Sequence, residues 1–81
     1  MPQKPPFAES RRWIYRASHA RSRIDRRVFY DPETKLEYER DPRPTRNTWH
    51  EINPRTNQYR DIDPETGRPV AGSEGEWRPL R

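Results

Sequence analysis

Cysteine is absent from the 81 residues, glycine occurs three times and histidine twice. Each shortage closes off a class of chemistry. Without cysteine there is no disulfide framework, no thiolate zinc site and no cysteine nucleophile. His19 and His50 are too few for a self-contained histidine-rich metal site. Gly67, Gly72 and Gly75 follow no nucleotide-cradling spacing, which excludes glycine-loop dehydrogenases and kinases. No apolar run approaches the roughly 18 residues that span a bilayer, and none forms a signal-peptide core. Aliphatic residues are scarce too. Ile, Leu, Val and Phe together number ten, about 12% of the chain, against the roughly 20% below which chains are usually disordered.

What is present argues for a small folded unit all the same. Three Trp, four Tyr and two Phe each bring roughly 150 to 250 Å² of buriable surface, so an aromatic-centred sheet can form where an aliphatic core cannot. Charge is unevenly spread. Residues 1–30 hold eight basic side chains against Glu9 and Asp25, a balance of +6, whereas residues 31–81 balance at −2. Fifteen of the seventeen basic residues are arginine, whose planar guanidinium both forks onto phosphates and stacks on bases. A polyanion is the natural partner of the first third.

The spacing predicts an α+β domain, an N-terminal basic helix packed on a small twisted antiparallel hairpin meander. Residues 1–8 read as a flexible proline-rich arm. Trp13, Ala17, Ala20 and Ile24 recur at helical steps, so a helix is expected over 9–27, with Ser10 as its cap and His19 a solvated residue off the apolar stripe. From 28 to 70 the chain alternates into three turns of one form: Asp31-Pro32-Glu33-Thr34-Lys35, Asn53-Pro54-Arg55-Thr56-Asn57 and Asp63-Pro64-Glu65-Thr66-Gly67. Proline sets φ, the Asx side chain accepts from N–H groups ahead of it, and Asn57 or Gly67 tolerates positive φ at the exit. These turns predict β-hairpins over 28–70 in a single domain spanning 9–70, with Asp41–Arg46 as a rigid link. Residues 71–81 read as loop and tail, pinned by Trp77. The expected core is Trp13, Ile14, Phe29, Tyr38, Trp49, Ile52, Tyr59 and Ile62, with Trp49 and Tyr59 paired across one hairpin.

Aromatics interleaved with arginines on a twisted sheet make an RNA-binding surface. Arg12, Arg16, Arg23, Arg27, Arg60, Tyr30 and Tyr38 are its candidate residues. Metal-free RNA cleavage needs a base for the 2′-OH, an acid for the leaving oxygen and a cation against the phosphorane charge. Asp31, Glu37, Glu39, His50, Glu51, Arg60 and Arg68 are candidates on adjacent expected strands, and the chemistry calls for no cofactor and no metal.

Over Arg27–Arg68 the chain resembles a known family. Val28-Phe29-Tyr30-Asp31, Leu36-Glu37 with Glu39, and above all Ile52-Asn53-Pro54-Arg55-Thr56-Asn57-Gln58 followed by Ile62-Asp63-Pro64 are similar to the C-terminal cytotoxic ribonuclease domain of colicins and related bacterial polymorphic toxins that cut 16S ribosomal RNA. The resemblance implies a strand aspartate at Asp31, a general base at Glu37 and a phosphate-binding arginine at Arg68. The family's histidine is missing, since Thr34 and Lys35 occupy its stretch; His50, or His19, is left to act as the acid. It further implies ribosomal or transfer RNA as substrate, an acidic immunity protein as partner, action in the cytoplasm as a monomer, and secretion within a larger toxin. Two other readings stand beside it: a non-catalytic RNA-binding or ribosome-associated protein, and a structural adaptor in a larger assembly.

Overall fold

The structure, a computed structural model, describes residues 3–7 and 10–81. Six strands, β1 (Ile14–Ala17), β2 (Arg27–Asp31), β3 (Leu36–Arg40), β4 (Trp49–Asn53), β5 (Gln58–Ile62) and β6 (Arg78–Pro79), form one antiparallel sheet in chain order. The three Asx-Pro-x-Thr repeats build nearly identical turns. In each, the fifth residue's N–H donates to the first residue's carbonyl: Lys35 to Asp31 at 2.8 Å, Asn57 to Asn53 at 2.9 Å, Gly67 to Asp63 at 2.8 Å. In each, the third residue's N–H donates to the Asx Oδ1: Glu33 at 2.9 Å, Arg55 at 3.0 Å, Glu65 at 2.8 Å. The exit residues all take positive φ, 63° at Lys35, 57° at Asn57 and 71° at Gly67.

Because side chains alternate across a strand, register divides the sheet into two unlike faces. Phe29 pairs with Tyr38, Tyr38 with Glu51 and Trp49 with Ile62. On that face Phe7 and Trp13 of the N-terminal segment close over Phe29, Tyr38, Trp49 and Ile62 in a chiefly aromatic core. Its rings meet edge to face, Trp13 on Tyr38 at 5.2 Å and Phe7 on Tyr38 at 5.5 Å, the arrangement that ring quadrupoles favour. On the other face Val28 and Ile52 pack with Ala20 of the β1–β2 loop, with Leu80 beyond β6, and with Tyr59. The stretch 71–81, read as loop and tail, thus contributes a 3-10 turn at Ser73–Gly75, strand β6 and buried Leu80. Arg60 stacks on Trp77 at 4.3 Å.

The expected helix over 9–27 is not formed, and the fold is a nearly all-β meander rather than α+β. Glu9, at the start of that helix, and Met1, Pro2 and Ala8 of the expected arm lie outside the described residues; Pro5 and Phe7 of the arm are buried. In place of the helix are β1 and a loop. A helix would stack Arg12 on Arg16 and Arg23 on Arg27, like charges four apart that repel. The extended chain instead carries arginines to buried carboxylates: Arg11 to Asp31 at 3.1 Å, Arg16 to Glu37 at 3.0 Å, and Arg23 and Arg26 to Glu39 at 3.8 and 3.4 Å. The apolar stripe accordingly splits. Trp13 joins the aromatic face and Ala20 the opposite one, while Ile24 is exposed. Ile14, expected in the core, is 46% exposed on the outermost strand. Trp49 and Tyr59 do not pair. Their partners are Ile62 and Ile52, which puts them on opposite faces. Among the described residues no helix is long and apolar enough to cross a membrane.

The β3–β4 connection begins at buried Asp41, whose Oδ2 accepts from Arg43 Nη2 at 2.7 Å and whose Oδ1 accepts from Arg43 Nε at 3.0 Å and from the Arg43 N–H at 2.9 Å. These bonds, with Arg43's side chain foremost, hold the Asp41 carboxyl well below its ordinary 3.8. A depressed carboxyl stabilises the fold above its unfolded value, and that contribution is lost as pH falls below about 4. Asp41→Asn is therefore expected to lower the urea midpoint at pH 7, with the gap to the parent protein closing in titrations taken toward pH 2.

Candidate nucleic-acid interface

Asp31, Glu37, His50 and Arg68 occupy four separate settings. Asp31 opens the first turn on the aromatic face, 1% exposed, beside Arg11. Glu37 lies on the opposite face with no exposed surface. It accepts from Ser18 Oγ at 2.5 Å, from Arg16 Nη1 at 3.0 Å and from the His19 N–H at 2.8 Å. So enclosed, it positions its neighbours and has no surface from which to take a 2′-OH proton. His50 stands one row further along that face. Its Nε2 lies 3.1 Å from Asp41 Oδ2 and 3.7 Å from Asp61 Oδ1, and its Nδ1 lies 3.6 Å from Glu39 Oε1. Arg68 is exposed beside the third turn, anchored through its backbone to Thr66 and Asp63. The first two turns follow β2 and β4, which run the same way, and the third follows antiparallel β5. Arg68 is thus at the other end of the sheet from Asp31, and among the described residues no side-chain hydrogen bond or ion pair joins any two of the four.

The candidate RNA-binding residues also divide. Tyr38 is core, 2% exposed, its hydroxyl donating to Glu51 Oε2 at 2.5 Å; burial first and that carboxylate second push its pKa well up. Arg60 is held at 2.6 Å by Glu51. Arg23 donates to the Arg81 carbonyl at 3.1 Å beside its Glu39 pairing. Arg12 and Arg27 are exposed. Arg16 and Tyr30 come together, the guanidinium carbon 4.1 Å from the ring centroid.

Around that stacked pair opens a cleft of about 340 Å³ lined by Arg16, His19, Tyr30, Lys35, Pro54 and Arg55. No carboxylate lines it. Among the described residues, Lys35 and Arg55 have no ion pair. The turn repeat builds this cleft: the first and second turns fall at the same end of the sheet, so the fifth residue of one (Lys35) and the third of the other (Arg55) converge. Glu37 beneath fixes Arg16 and the His19 backbone. Lys35 and Arg55 were not among the candidates from sequence. The signal that would have found them is that alternate turns of a meander share an end. Comparison of the chain with protein-family models, with curated proteins and with solved structures finds no match in any of the three.

Lys35 carries a backbone cost. A side chain with a Cβ in the left-handed region is disfavoured by about 1 to 2 kcal/mol, and the equivalent residues of the other turns are Asn57 and Gly67, which tolerate it. Such strain concentrates at functional positions. Lys35→Gly is expected to raise stability by about 0.5 to 1 kcal/mol in urea unfolding while weakening polyanion binding. A variant that is destabilised would show that the lysine is not strained there.

Proposed function

We propose that this protein binds single-stranded RNA through the cleft of Arg16, His19, Tyr30, Lys35 and Arg55. The observation that carries the reading is the composition of that cleft: three cations and an imidazole around one aromatic ring, with no carboxylate in the lining and Glu37 beneath it covered and committed. Lys35 and Arg55 supply charge for phosphates, and the outer face of the Arg16 guanidinium, already stacked on Tyr30, supplies a plane for an unpaired base. A second reading, cleavage of the bound strand as in the ribonuclease domains of bacterial toxins, is favoured by the position of His19. It is exposed, lines the cleft, and its N–H is fixed to Glu37. In that reading His19 takes the 2′-OH proton as that oxygen bonds to phosphorus and returns it to the departing 5′-oxygen as the P–O5′ bond breaks, Glu37 positions the His19 backbone, and the cations offset charge on the phosphorane. Ribosomal RNA and an acidic immunity protein then follow as substrate and partner from the family resemblance.

Titration of labelled oligouridylate at several salt concentrations tests both. Each phosphate neutralised on a single strand contributes a slope of about −0.7 in log K against log salt, so removing two contacts with Lys35→Ala and Arg55→Ala is expected to shallow the slope by about 1.4. An unchanged slope, or no binding by the parent protein at low salt, would overturn the RNA reading. Incubation with ribosomes without divalent metal tests cleavage. Discrete cuts ending in 2′,3′-cyclic phosphate and lost in His19→Ala support it, and intact RNA retires it.

A further inference from the structure

A second cationic groove lies on the aromatic face, at the end of β2 and β3 away from the cleft. It encloses about 360 Å³, with Tyr15, Arg26, Arg27, Phe29, Arg40 and Trp49 among its lining residues. We propose that this groove is a second subsite for the same RNA strand, taking one unstacked base against Tyr15 and its phosphate between Arg27 and Arg40. The proposal rests on the RNA-binding reading and extends it from one contact to a path.

Three features carry it. First, Arg27 opens β2 and Arg40 closes β3, each two residues beyond the Phe29–Tyr38 pair. Alternation therefore sends both guanidinium groups to the same face on neighbouring strands. Like charges so placed destabilise a sheet unless an anion lies between them. The carboxylates of this face on β2 to β5 are committed elsewhere, Asp31 to Arg11 and Glu51 to Tyr38 and Arg60. Glu39, which also lines the groove, has its carboxylate with Arg23, Arg26 and His50. Among the described residues, Arg27 and Arg40 have no ion pair and no side-chain hydrogen bond, and both are exposed. An anion bound between them from outside would neutralise the pair.

Second, the groove offers a stacking surface beside that charge. Tyr15 is half-buried, tilted at 42° against Phe29 with centroids 4.9 Å apart, and Arg27 lies 5.6 Å from the Tyr15 ring. A phosphate flanked by an aromatic plane is the unit from which sequence-tolerant single-strand sites are made. Third, the two sites are joined by one strand. β1 is the outermost strand, and its consecutive residues Tyr15 and Arg16 line the groove and the cleft respectively. An oligonucleotide that crosses the open edge of β1 reaches both within a molecule of 28 × 28 × 25 Å.

Two linked subsites bind a long strand more tightly than a short one, through effective concentration. The test measures fluorescence anisotropy with oligouridylates of about four and about twelve nucleotides, lengths at the lower and upper parts of the single-strand site range. The parent protein is expected to bind the longer strand at least about tenfold more tightly. The double variant Arg27→Gln with Arg40→Gln should lose that advantage and bind both lengths alike, while melting at or above the parent temperature because the unneutralised pair is gone. A variant that keeps the parent's preference for the longer strand overturns the second subsite and leaves the cleft standing. A parent protein that binds neither length overturns the RNA reading and this proposal with it.

Discussion

The structure depends on the pairing of guanidinium groups with carboxylates inside a sheet. Glu37, Asp61 and Asp31 are all but fully buried, and Glu39 and Glu51 nearly so. A buried carboxylate left alone would cost several kcal/mol. Each therefore has a cation within reach: Arg16 for Glu37, Arg78 at 2.8 Å and Arg46 at 3.2 Å for Asp61, Arg11 for Asp31, Arg60 for Glu51, and Arg23 with Arg26 for Glu39. The pairs also set where the first third of the chain runs, since a helix there would have left Glu37 and Glu39 without partners.

The same pairing shapes the surface. Arginines paired with buried carboxylates have their charge answered while staying partly exposed, and those left over are grouped by topology. Two turns at one end of the sheet bring Lys35 and Arg55 beside Arg16, while the first residue of β2 and the last of β3 set Arg27 against Arg40. Both groups lie next to a tyrosine that a guanidinium already touches, Tyr30 in one and Tyr15 in the other. A formal net charge of +4 thus understates the local positive field, because six carboxylates, Asp31, Glu37, Glu39, Asp41, Glu51 and Asp61, are buried and answered inside.

How much of this was legible in the sequence follows from the range of the interactions. The three turns were readable because proline, Asx and the exit residue act within five positions, and the hairpins about them followed. The expected helix does not form because Trp13, Ala17, Ala20 and Ile24 satisfy only a local period, whereas the carboxylates that claim Arg16 and Arg23 stand 21 and 16 residues further along. Glu37 illustrates the same limit at the site. Its family resemblance implied a reactive base, but the loop from Ser18 to Ala20 folds over it, and no window around Glu37 contains that loop. Trp49 and Tyr59 fell on different faces because a hairpin's pairing depends on its turn length, here one that opposes Asn53 to Gln58.

The most direct test of the pairing is a double-mutant cycle on Arg16 and Glu37 read by urea unfolding. Arg16→Gln and Glu37→Gln are each expected to be destabilising, and the double variant to lose less than their sum by about 1 kcal/mol or more. Strictly additive losses, or a Glu37→Gln variant as stable as the parent, would contradict the dependence of this fold on its buried ion pairs.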